Sequence, residues 1–284
     1  MSTANNLCIY APLPPVIYHY CKPDGCLKIL ESRNIWLSNS RLLNDTSDSA
    51  VLHEIVGMEI EELERNADSK MSARIKQFRA ALKLYNQNDV YVASFSAVGD
   101  SLSQWRAYGD DGEGFSIGFA PGELGASAYV KPAPGGSVTL FAIDYDEQLP
   151  WSKFLAQILQ NPTIPNSDPS NMAVLCDWMN LGAKAPAFSE EKEYRIAYRP
   201  ISLVQPATTQ RSAELRIDGA LQTLQFRNTK YGLCPYFNYP FQSDSVRELI
   251  LGPKNRSEIN HVEMMLAKFG YSKVKVKRSN ATYR

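Results

Sequence analysis

A chain of 284 residues with 44% hydrophobic and 21% charged side chains can bury a substantial core, and its 30 basic and 30 acidic side chains cancel. That balance removes the overall basic field on which strong non-specific nucleic-acid binding depends, leaving only local grooves for it. No apolar run approaches a membrane span and MSTANNLCIYAPLPP lacks the basic and apolar regions of an export signal, while five scattered cysteines suit free thiols; a cytoplasmic protein is expected.

In chain order, VIYHY (Val16 to Tyr20) reads as a strand, the segment around Leu27–Leu30 as a short helix, and IWLS (Ile35 to Ser38) as a second strand. Two amphipathic helices follow. The first spans about Ser47 to Glu64; the second carries Met71, Ile75, Phe78, Leu82 and Tyr85 on one face. Strands are expected at VYVASFS (Val90 to Ser96), GFSIGF (Gly114 to Phe119) and VTLFAIDY (Val138 to Tyr145), with KPAPGG as a hairpin connection. WSKFLAQIL and NMAVLCDWMNLGAK read as helices. KEYRIAYR (Lys192 to Arg199), a weaker segment near LQFR, RELILG and KVKVKR read as strands, with a helix from Ser257 to Phe269 before the last. The plan is α+β in a single domain, with helical insertions at about 46–87 and 150–185.

Strand period separates two faces of KEYRIAYR. Tyr194, Ile196 and Tyr198 point one way, to a core, while Glu193, Arg195, Ala197 and Arg199 point the other, where a solvated polar face is the simplest expectation. His19 is one of three histidines, and a lone strand histidine is more often structural than catalytic. Cys21 and Cys26 flank a turn with no second Cys/His pair to complete a zinc set. Walker A, GxGxxG and GxSxG patterns are absent from the sequence.

The stretch SFSAVGDSLSQWRAYGDDGEGFSIGF puts Ser94 and Ser96 on one strand face and spaces Trp105 and Tyr108 to share one side of a helical turn. Rings and hydroxyls rising together suit a planar, partly charged ligand, and equally suit an apolar plug over a sheet edge. Asp110, Asp111, Glu113 and Glu193 could serve a metal-dependent nuclease, but no compact acidic motif joins them and no metal is expected.

YHY, LLNDTSDS, SFSAVGDSLSQWRAYG with GEGFSIGF, FSEEKEYRI and RELILGP, in this order from Tyr18 to Pro253, resemble the bacterial family called domain of unknown function 2971. LLNDTSD stands where that family more usually has an Asn-Asp-Pro turn. A strand with His, a strand ending in Ser and a late strand with Glu are also similar to the ADP-ribosyltransferase fold. That resemblance implies a mixed or antiparallel β core of two packed sheets with flanking helices. It further implies NAD as substrate, Glu193 as the catalytic acid at the ribose, and His19, Tyr20, Ser94, Ser96, Trp105, Tyr108 and Arg195 as the residues around the dinucleotide. The expected function is an NAD-dependent ADP-ribosyltransferase-like enzyme, or an NAD glycohydrolase with water as acceptor. Its acceptor would be a protein or nucleic acid, in a toxin or phage-defence role with an antitoxin or activating partner. The alternative is a non-catalytic nucleotide- or protein-binding module.

Overall fold

The computed structural model describes residues 13–42, 48–85, 89–125, 131–133, 136–145, 181–200, 224–229 and 232–283, with isolated positions between 159 and 176. The expected helices at 151–159 and 171–184 fall mostly outside the described residues.

Near the N-terminus, β1 (Ile17–Cys21) and β2 (Asn34–Asn39) flank α1 (Pro23–Ser32). Pro23 starts α1, where its missing N–H costs nothing, and Arg33 ends it in the left-handed conformation, φ 54°. The two amphipathic segments form α2 (Asp48–Arg65) and α3 (Ser69–Tyr85). Then come β3 (Tyr91–Ser96), the short α4 (Leu102–Ala107), β4 (Phe115–Phe119), and the hairpin β5 (Lys131–Ala133) and β6 (Gly136–Ala142). KPAPGG is thus more than a connection, because its first three residues pair with β6.

The C-terminal half adds β7 (Glu193–Pro200), β8 (Gln225–Thr229), β9 (Gly232–Pro240), β10 (Val246–Leu251), α5 (Ile259–Lys268) and β11 (Lys275–Arg278). β9 has no counterpart in the sequence reading, because Pro235 and Pro240 argue against a strand. Pro235 is tolerated where it stands: it pairs only toward β8, and β2 contacts β9 from Tyr236 onward.

The fold is α+β with a mixed, largely antiparallel sheet; β10 and β11 form its parallel pair, joined through α5. The strands make one 11-stranded hydrogen-bonded network rather than two separate sheets. The reason lies in β3. One of its edges pairs with β7 from Tyr91 to Ser96. The other edge is divided: Ser96 meets Tyr18 of β1, whereas Tyr91 and Val92 meet Asn39 and Ser38 of β2. β1 and β2 therefore part from each other at the level of Ser94.

One face of this branched sheet is the main core. Ile17, Leu37, Phe95, Ile117, Phe119, Ile196, Tyr198, Phe237 and Leu249 pack there against Leu30 of α1 and Val262 and Leu266 of α5. Tyr194, Ile196 and Tyr198 join it as the period of two predicts. The opposite face carries two smaller apolar clusters: Val90, Val92, Phe141, Ile143 and Ala197, and Tyr20, Trp105 and Ile250. Glu193 and Arg195 lie on that second face, as their alternation with the core residues of β7 requires.

The loop from Gly109 to Gly114 has no room for side chains on the backbone at its ends. A Cβ on Gly114 would stand 2.2 Å from the Cys21 carbonyl oxygen, and one on Gly109 2.5 Å from the Trp105 ring. Between them Asp110 and Asp111 adopt φ of 52° and Gly112 of 87°. Gly114→Ala must push β4 away from the end of β1. It is expected to destabilise the protein by about 1–3 kcal/mol, read as a lower urea midpoint at unchanged m; an unchanged midpoint contradicts this packing.

Candidate functional site

Across the β3–β7 ladder Ser96 faces Glu193 and Ser94 faces Arg195, so the four side chains share the second face. The chain reaches β7 through a 3₁₀ turn, Pro186–Glu191, and through Lys192, whose left-handed φ of 45° stands between Glu191 and Glu193. Both carboxylates meet Lys184. Its Nζ is 2.7 Å from Glu191 Oε2 and 3.5 Å from Glu193 Oε2, with the side chain 1% exposed. Arg195 donates to Glu193 through Nε (2.6 Å) and Nη2 (3.0 Å), and through Nη1 to the Leu181 carbonyl (3.1 Å). The Tyr108 hydroxyl donates to Glu191 Oε1 at 3.1 Å, and the Glu193 N–H donates to the Tyr145 hydroxyl at 2.9 Å.

Two cations and two carboxylates are therefore buried together. The face expected to be solvated is covered, with Glu193 at 5% exposure and Arg199 at 8%. Residues 181–191 lay Lys184 and Leu181 against it. Burial alone would raise the Glu193 pKa, but Arg195 and Lys184, with a contribution from the Ser94 hydroxyl, outweigh it and hold the carboxyl below its ordinary value. Burial pushes the Tyr145 phenol up to about 12, so it stays protonated.

The remaining sequence-selected residues divide into packing and exposed groups. Trp105 is fully buried: its ring meets Tyr20 edge-on at 4.8 Å, and Nε1 donates to Asp100 at 2.7 Å. Asp100 also accepts from the Ser279 hydroxyl and, at 2.7 Å, from the Asn280 N–H, so the C-terminal segment closes over this cluster. The Tyr20 hydroxyl donates to the Val98 carbonyl and accepts the Ser101 N–H. Ser96 donates to the Glu191 carbonyl at 2.7 Å and accepts the Val98 N–H, so its hydroxyl is spent on local structure. Ser94 is exposed and Tyr108 half-buried, so both keep surface on the solvent side.

His19 takes the opposite face from Glu193. It alternates with Tyr18 and Tyr20, and its ring lies 5.6 Å from Phe95. Nδ1 donates to the Ser94 carbonyl at 2.9 Å, at the level where β1 leaves β3, and so serves a backbone acceptor that the parted strand no longer reaches. With Nδ1 donating, neutral His19 carries its free acceptor at Nε2. The ring is deep in the protein mass, and the desolvation, aided by the charge of Arg227, holds its pKa below the ordinary value. Its side chain nevertheless retains partial exposure.

Three members of the site escaped sequence reasoning. Lys184 and Tyr145 come from distant segments with no motif, whereas Glu191, two residues before Glu193, carried a legible signal of paired carboxylates. Asp110 and Asp111 do not join Glu193; they pair with Lys22 and Lys254. Among the described residues no group of three or more His, Cys, Asp or Glu is arranged to hold a metal ion.

Removing one cation from the buried group leaves a carboxylate without compensation. Lys184→Met is expected to cost about 3–5 kcal/mol in urea unfolding at neutral pH, and a loss below 1 kcal/mol contradicts a coupled group. A second expectation concerns acid. Below about pH 6.5 the unfolded chain takes up a proton that His19 in the folded protein resists, so His19 stability is present above that value and is lost as pH falls toward the folded pKa. The stability of the wild type relative to His19→Asn should therefore shrink between pH 7.5 and 5.5. A constant difference contradicts the depressed imidazole.

Neither the curated proteins nor the solved structures contain a match to this chain. Residues 104–196, from the turn that carries Trp105 and Tyr108 to the strand that carries Glu193 and Arg195, match the model of a family described as Protein of unknown function (DUF2971).

Proposed function

We propose that this protein is an NAD-consuming, ADP-ribosyltransferase-like enzyme, acting on the second face of the sheet near the level at which β1 and β2 part from each other. The observation that carries the reading is an ionised Glu193 fixed by the Arg195 fork on the same face as the exposed Ser94. A carboxylate has about four acceptor positions. Arg195 takes two, Lys184 approaches a third and the exposed Ser94 hydroxyl engages the carboxylate as well, so a ribose hydroxyl would enter by replacing that serine hydroxyl.

The chemistry asks for that arrangement. Cleaving the bond between ribose and nicotinamide builds positive charge at the anomeric carbon, in the manner of glycoside cleavage. A preorganised carboxylate stabilises that charge without reorienting. Held below its ordinary pKa, Glu193 acts as an electrostatic group rather than a proton acceptor. Ser94 offers a hydroxyl beside it, and Tyr108, its own hydroxyl tied to Glu191, offers a half-exposed ring to the cationic nicotinamide. Trp105, fully buried, supports Tyr20 and the loop instead of stacking a ligand. The acceptor, protein, nucleic acid or water, and a toxin or phage-defence role with an antitoxin or activating partner belong to the same proposal.

Buried charges are also what a purely structural clamp, or a module that binds nucleotide without turnover, would use. The discriminating experiment follows nicotinamide release and transfer of adenine-labelled NAD into protein, RNA and DNA fractions of a bacterial lysate. Glu193→Gln is expected to lower release at least about 100-fold, within the range of a single electrostatic group, with the far-UV spectrum retained. Saturable NAD binding without release, in wild type and variant alike, would instead establish the binding module.

A further inference from the structure

On the other side of the parting strands, Arg227 of β8 is a cation without a carboxylate partner among the described residues. Its described hydrogen bond is from Nη2 to the Ser38 hydroxyl, 2.9 Å away, and its buried Nε has no partner. The guanidinium carbon lies 5.7 Å from the Trp36 ring centre, a cation–π arrangement, and Trp36 packs at 5.1 Å and 43° on Tyr236. Both rings are half-buried, so each keeps some surface for another group.

Period and register explain the assembly. Ser38 is opposite Tyr236, and Tyr236 is opposite Gln225, two residues from Arg227 on the same face of β8. Trp36 is two residues from Ser38 along β2 and shares its face. Ser38 is 3% exposed and has Arg227 as its partner, so its hydroxyl aims the guanidinium. His19 lies near enough to feel the Arg227 charge.

We propose that Arg227, aimed by Ser38 and stacked on Trp36, binds the phosphoryl group of a nucleoside diphosphate. A planar guanidinium held by one neutral hydroxyl, with its Nε–H unpartnered, can meet the paired oxygens of a phosphoryl group. A buried N–H without an acceptor is costly, and an incoming oxygen relieves that cost after a small shift of the side chain. The Trp36 and Tyr236 rings supply an apolar flank for the base, as aromatic side chains do for unstacked bases. This site stands independently of NAD turnover, because it rests on β2, β8 and β9 and not on Glu193.

The test is calorimetric titration of the full chain with ADP, inorganic pyrophosphate and adenosine. ADP and pyrophosphate should bind and adenosine should bind far more weakly, which assigns recognition to the phosphoryl group. Arg227→Gln should weaken ADP binding by about tenfold or more, the scale of a charge-assisted pair. Arg227→Lys, which keeps the charge and loses the planar fork, should fall between. Arg247→Gln, removing an exposed cation of β10, should leave affinity unchanged. Absence of ADP binding to the wild type overturns the inference, as does equal ADP affinity in wild type and Arg227→Lys. Nicotinamide release plays no part in this readout, so failure of the proposed NAD chemistry leaves it standing.

Discussion

One edge of β3 supplies hydrogen bonds to two different strands, and the arrangement of the rest of the second face follows from that division. A strand has a single row of donors and acceptors on each edge, so β1 and β2 cannot both pair along its whole length. They share it, β2 at Tyr91 and Val92 and β1 at Ser96. Between these positions the Ser94 carbonyl would lose its partner, and His19 Nδ1 takes the place of the missing strand. The histidine thus seals the parting and lies within it.

Burying four charges behind β7 is tolerated because each is answered locally. Lys184 spans both carboxylates, Arg195 grips one side-on, and Tyr108 and Tyr145 complete the hydrogen bonds around them. Desolvation acts against every member, and the mutual attraction offsets it only while all are present. Such a group is a poor source of net stability. It is a good way to hold one carboxylate ionised in a fixed orientation, and that property makes it useful to chemistry.

The aromatic residues illustrate how chemistry and packing divide among similar side chains. Trp105 lies in α4 and Tyr108, three residues on, caps its C-terminal end, and of the two only Tyr108 keeps exposed surface. The difference arises from the far end of the chain: Ser279 and Asn280 bond to Asp100, which holds the indole N–H, and Ala281 packs on the cluster. Gly109 allows the loop to turn directly against the indole, where a Cβ would clash. A ring that looks available from local spacing is thus enclosed by a segment more than 170 positions away.

Local pattern determined much of this protein. Periods of two and 3.6 located the strands around His19, Ser94, Ile117 and Ile196 and the helices α2, α3 and α5, and placed Tyr194, Ile196 and Tyr198 in the core. They also put Glu193 and Arg195 side by side on the opposite face, because a side chain's direction along a strand is a property of the strand itself. Whether that face meets water was decided only by tertiary structure, when residues 181–191 brought Lys184 over it. The same holds for β9, whose prolines are harmless only because of which neighbour ends where, and for Arg227, which meets Ser38 and Trp36 across two ladders. Alternation is encoded in adjacent residues; burial and charge compensation depend on partners far apart in the chain, and no local period records them.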